Sequence, residues 1–108
     1  MPDESPAGIL EWADFMHRHG VARVCCLLDA GQLAAFPVNL ETEYKRLFGA
    51  PSVLMEPIAD HHLCSRQALR ENILPFLSAA EKSGECVVVH CWGGNGRTGH
   101  VLAAWLVA

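Results

Sequence analysis

The run Val87-Val88-Val89-His90-Cys91-Trp92-Gly93-Gly94-Asn95-Gly96-Arg97-Thr98-Gly99 brings a thiol, a guanidinium and a hydroxyl close together in the chain. An apolar strand ends in His-Cys, a glycine-rich stretch follows, and Arg-Thr-Gly leads into an apolar helical pattern. Glycine takes up left-handed dihedrals at little cost, so successive backbone N–H groups in such a loop can turn inward around an anion. A helix starting near Arg97 aims its positive end at the same point. Helix N-termini and cationic neighbours are the surroundings in which a cysteine ionises readily. Arg97 adds a planar fork for two phosphate oxygens. These residues point to thiolate attack on phosphorus, giving a phosphocysteine that water then hydrolyses.

The segment from His90-Cys91 to Arg97-Thr98-Gly99 resembles the signature of the cysteine-dependent protein tyrosine phosphatase superfamily. Its Gly-Arg-Thr-Gly ending and the surrounding residues 87–107 are most similar to dual-specificity-type phosphatases of prokaryotes and archaea. The resemblance implies a phosphatase-like fold, with Cys91 as nucleophile and Arg97 as phosphate clamp. It also implies that Thr98 supports the departing thiolate and that His90 orders the loop. The backbone amides of Trp92, Gly93, Gly94, Asn95, Gly96 and Arg97 would then bind the phosphate oxygens. Low-molecular-weight phosphatases and arsenate reductases share the cysteine-to-arginine spacing but carry the loop after their first strand; here at least two strand candidates precede it. Tensin-like phosphoinositide phosphatases usually place lysines inside the loop, and residues 92–96 contain none.

The second chemical element is Glu56-Pro57-Ile58-Ala59-Asp60-His61-His62. Expelling an oxygen leaving group from phosphorus is slow unless that oxygen is protonated as it departs, and a positioned acid gives ~10²–10⁴ in rate. In the resembling family this acid is an aspartate on a loop after the second-to-last strand, within a Pro-Ile-Pro-Asp-like run. Asp60 stands in the matching place, with Ala59 where many relatives have proline. A loop residue or helix cap is the plainer role for Asp60. Glu56 is the next candidate acid.

His61, His62 and Cys64 are read as loop residues, because no second ligand pair has metal-site spacing; neither a metal nor a cofactor is expected. Asp29, at the end of a strand, most simply caps the segment after it. Cys25 or Cys26 lying behind the site could trap an oxidised Cys91, though buried, inert thiols are the stronger reading. Trp92 is expected to pack under the loop rather than to stack on substrate.

Positioning these groups requires an α/β domain. Ser5-Pro6 reads as an N-cap and first helical residue, with Ile9, Trp12, Ala13 and Met16 on one face and Gly20 as the stop. Residues 21–28 form a nearly continuous apolar strand, Arg23 being the exception. Residues 30–36 are ambiguous, and residues 40–48 resume a helical pattern before Gly49. Residues 53–57 read as a second strand. Ser65 caps a helix whose face carries Leu69, Ile73, Leu77 and Ala80, and Pro75 is expected to kink it. Residues 86–90 are the third strand. Strands separated by crossover helices imply a central, largely parallel sheet flanked by helices, with the glycine loop at the carboxyl end of its strand.

The chain has 108 residues, enough for one small domain, spanning 1–108. A net charge of −4 gives no support for binding nucleic acid or an anionic membrane by bulk charge. No apolar stretch reaches the ~20 residues that span a bilayer. With no signal peptide evident, the five cysteines (25, 26, 64, 86, 91) are read as reduced thiols of a cytoplasmic protein. Residues 101–107 are apolar all round and should form a buried helix. Relatives continue with further helices, so the chain is expected to be a shortened domain prone to self-association through this segment. The sum is a phosphomonoester hydrolase acting on phosphorylated protein, on phosphotyrosine and also phosphoserine or phosphothreonine. The alternatives are a non-catalytic phosphate-binding module and a phosphatase of a non-protein phosphoester.

Overall fold

The computed structural model describes residues 6–58, 65–91, 98 and 101. Three strands, β1 (Val21–Cys26), β2 (Val53–Met55) and β3 (Cys86–His90), form a sheet in the order β2-β1-β3. Both pairings are parallel, with Cys26 opposite Met55 on one side and opposite His90 on the other. A parallel sheet must be covered on both faces, and period-two alternation sorts β1 accordingly. Val24 and Cys26 face one core cluster with Ile9, Met16, Phe36, Leu40 and Tyr44. Cys25 and Leu27 face a second cluster with Ile58, Leu69, Ile73, Leu77, Cys91 and Val101. The result is the expected α/β architecture of a parallel sheet between helical layers.

The first layer is built by α1 (Pro6–Arg18), α2 (Ala30–Ala34) and α3 (Leu40–Phe48). Helix α1 buries Ile9 and Met16, and Gly20 ends it at φ 70°, the left-handed C-terminal geometry that glycine adopts without strain. Gly84, at φ 68°, performs the same task ahead of β3. The ambiguous stretch after β1 resolves into α2, closed by a capping box. Asp29 Oδ1 accepts from the Gln32 amide at 2.9 Å, and Gln32 Oε1 accepts from the Asp29 amide at 3.3 Å. Asp29 is thus a cap, as expected. Asn39 caps α3 in the same manner through Thr42 N–H at 3.0 Å.

On the opposite face, Ser65 Oγ accepts from Ala68 N–H at 3.1 Å and opens α4 (Arg66–Ala68). A π-helical turn (Leu69–Ile73) follows and leads into α5 (Leu74–Lys82). This turn is how the chain accommodates Pro75. The Leu74 amide reaches back five residues to the Leu69 carbonyl, which places Pro75 in the first turn of α5, where its missing N–H costs little. Leu69, Ile73, Leu77 and Ala80 are buried together, as their spacing predicts.

Arg23, the charged residue in β1, is neutralised rather than exposed. Its guanidinium meets Glu85 at 2.8–2.9 Å and lies over the Phe76 ring at 5.4 Å. Cys86 is exposed at the start of β3. Ser5 and residues 102–108, with their expected cap and final helix, lie outside the described residues. Among the described residues no helix is long and apolar enough to cross a membrane.

Candidate active site

The carboxyl ends of the strands converge on one edge of the sheet. Leu27 N–H donates to the His90 carbonyl at 2.9 Å, Glu56 N–H to the Cys26 carbonyl at 3.0 Å, and Ile58 N–H to the Leu27 carbonyl at 3.2 Å. These bonds extend the ladder past the strands and hold the start of the Asp60 segment beside the end of β1. Asn72 Nδ2 donates to Glu56 Oε2 at 3.1 Å, which ties the same segment to the π turn. Glu56, the second candidate acid, is therefore engaged by a neighbour.

Cys91 follows β3 directly and is 5% exposed. It packs with Cys25, Leu27, Leu69, Ile73 and Val101. Thr98 is half-buried in helical conformation, and Val101 is helical and fully buried in the same cluster. Strand, cysteine and helix thus occur in the expected order around the end of β3. Asp60, His61, His62, Cys64, Trp92, Gly93, Gly94, Asn95, Gly96 and Arg97 lie outside the described residues. Among the described residues no group of histidine, cysteine, aspartate or glutamate could hold a metal ion.

His90 points to the opposite face from Cys91, as adjacent strand residues must. It is 5% exposed, and its Nε2 lies 2.8 Å from the Tyr44 hydroxyl. That hydroxyl also accepts from Trp12 Nε1–H at 3.1 Å. Both aromatic rings meet the imidazole edge-on at centroid distances of 5.8 Å. Neither Tyr44 nor the hydrogen-bonding role of Trp12 was evident in the sequence. The available signal was the chain's one tyrosine, four residues after Leu40 on the apolar face of α3 and so needing a partner for its hydroxyl.

Burial pushes the His90 imidazole down from 6.5 to about 4, so the ring is neutral at pH 7, while the Cys91 backbone works weakly the other way. Burial pushes the Tyr44 phenol up, the nearby Cys26 thiol adds to this, and the Trp12 hydrogen bond opposes it. The depressed histidine value has a consequence for stability. Below its unfolded value of ~6.5 the unfolded chain gains a proton that the folded chain refuses until about pH 4. Stability should therefore fall as pH drops through that window, by roughly 2 kcal/mol at pH 5 from this group. Urea titrations at pH 7.5 and 5 on the native protein and on His90→Gln check this. The native protein should lose more on acidification, and equal losses would contradict the assignment.

The comparisons with known proteins agree with this geometry. A family model described as the DSP-PTPase phosphatase of polymorphic toxin systems matches residues 9–108. A solved protein, Tk-PTP in its active form, is similar with a TM-score of 0.78 and 31% identity, over 99% of this chain and 63% of that one. The chain thus spans under two thirds of that relative's length. No curated protein matches. A parallel sheet ending in His-Cys, a helix beyond it, and a family match over nearly the whole chain lead to one conclusion: the chain belongs to the DSP-PTPase phosphatase family of polymorphic toxin systems and has a dual-specificity-type tyrosine phosphatase fold.

Proposed function

We propose that this domain hydrolyses phosphomonoesters on protein, phosphotyrosine foremost and phosphoserine or phosphothreonine as well, through a phosphocysteine intermediate and without metal or cofactor. The observation that carries this reading is Cys91 directly after β3, buried in one core cluster with the helical residue Val101. In the first step the Cys91 thiolate attacks phosphorus, and the bond to the leaving oxygen breaks as Asp60 gives that oxygen its proton. The loop amides from Trp92 to Arg97 and the Arg97 guanidinium carry the charge on the phosphoryl oxygens. In the second step Asp60 takes a proton from water as the water attacks phosphorus. The S–P bond breaks, and the Thr98 hydroxyl supports the thiolate that leaves. His90 orders the loop. A reducing compartment such as the cytoplasm would keep Cys91 competent.

Pre-steady-state hydrolysis of an aryl phosphate tests this reading. A burst of phenol release matching the enzyme concentration is expected. Tight phosphate binding with no phenol release would instead make the domain a phosphate-binding module.

A further inference from the structure

We propose that the cleft between α2 and the first turn of α3 is a specificity site, which takes an apolar side chain of a phosphopeptide substrate a few residues away from the phosphorylated one. The inference rests on the phosphatase reading and names the substrate class of that same site. The cleft has a volume of about 420 Å³, within the ~300–1,000 Å³ of small-ligand pockets. Its walls are Ala30, Leu33, Ala34, Phe36, Val38 and Leu40.

Both walls are tied to the end of β3. On one side, Leu27 N–H donates to the His90 carbonyl at 2.9 Å, and α2 begins soon after at Ala30, at most ~11 Å along the chain. On the other side, the Tyr44 hydroxyl lies 2.8 Å from His90 Nε2, and Leu40 stands about one turn before Tyr44, a rise of ~6 Å. Helix α3 runs from this edge back toward the start of β2, so its first turn stands on the carboxyl-edge side of Tyr44. Cys91 follows His90 directly, and the cleft therefore adjoins the edge that carries it. An extended peptide advances ~3.3 Å per residue. One seated with its phosphate at Cys91 brings a residue roughly two to four positions away over α2 and α3.

The lining chemistry selects the occupant. Val38 is apolar and exposed, so a side chain that covers it gains from the burial. The polar residues of the cleft have partners of their own. Asn39 Oδ1 accepts from Thr42 N–H at 3.0 Å, and the Glu41 carboxylate meets Lys45 Nζ at 2.6 Å. Among the described residues no lysine or arginine lines the cleft, so an acidic side chain finds no counter-charge and meets Glu41 instead. A free small molecule needs convergent polar groups to fix its orientation, and these are engaged in capping and pairing. A peptide does not need them, because its phosphate already holds it and the second contact is intramolecular.

Phosphotyrosine peptides carrying leucine, glycine or aspartate at each flanking position in turn test this through kcat/KM. At one position leucine should exceed glycine by roughly tenfold, the scale of burying one such side chain, and aspartate should fall below glycine. Ala34→Trp fills the cleft and Val38→Asp makes it acidic, both from exposed positions. Each should abolish the leucine advantage, and a ratio taken within one protein is not imitated by a general loss of activity. Hydrolysis with no leucine advantage, or an advantage that a folded variant retains, would overturn the cleft assignment and leave the phosphatase reading standing. If no phosphoester is hydrolysed, that reading fails, and fluorescence anisotropy of the same peptides decides the cleft alone. Tighter binding of the leucine peptide, lost in Ala34→Trp, supports it; equal binding of all peptides overturns it.

Discussion

Replacing Cys91 by serine is expected to lower phosphoester hydrolysis by a factor on the order of 10⁴–10⁶, the scale seen when a covalent nucleophile is removed. An alcohol is protonated at neutral pH and is a far weaker nucleophile than the thiolate that the proposed mechanism uses. The protein should still fold, because Cys91 is buried and serine differs by one atom of similar size. Phosphate and vanadate should still bind, since the loop amides and Arg97 are untouched. Isothermal titration of the Cys91→Ser protein with vanadate, beside its hydrolysis of an aryl phosphate, checks both halves. Retained hydrolysis would remove Cys91 from the mechanism.

Asp60→Asn should produce the second-largest effect, and its size should depend on the substrate. A phenol of high pKa needs a proton as it leaves, so its ester should lose ~10²–10⁴ in kcat. A nitrophenolate leaves readily by itself and should lose much less. Comparing kcat for the two esters in native and variant protein gives the answer. A small, equal loss for both would move the acid elsewhere, and Glu56 would be next. Glu56 already accepts a hydrogen bond from Asn72.

Much of the fold was legible because local rules and tertiary packing agree. Gly20 and Gly49 end their helices, Ser65 caps, and the 69-73-77-80 face is buried as its spacing requires. Strand ends were less legible. β1 stops at Cys26 although apolar residues continue through Leu28, because pairing depends on where β3 ends, which the local pattern does not encode. Helix α2 was hidden by its length of five residues, too short for a periodic signal, although Asp29 and Gln32 stand at capping-box spacing. Pro75 disrupts the helix as its chemistry demands, but the choice of a π turn belongs to the packing of Leu69 and Ile73 against the sheet.

In the candidate site, the chemical residues announced themselves by type and spacing, and their supports did not. Cys91 and Thr98 stand on either side of a glycine-rich stretch that a sequence motif can capture. Tyr44 and His90 are 46 residues apart, and Trp12 is 32 residues from Tyr44. Contacts of that range leave no periodicity to read. They arise because helix α1 and strand β3 both face α3 through one side of the sheet, which only the assembled fold supplies.

The central claim is a covalent phosphoryl group on Cys91, and rapid acid quench with peptide mass spectrometry tests it most directly. Native protein mixed with excess aryl phosphate and quenched during turnover should carry one phosphoryl group on the peptide containing Cys91. With a nitrophenyl ester, whose departure needs little acid, Asp60→Asn should accumulate more of it, because the second step loses its base. Turnover with an unmodified Cys91 peptide under both conditions, or a phosphoryl group on a different residue, would contradict the account.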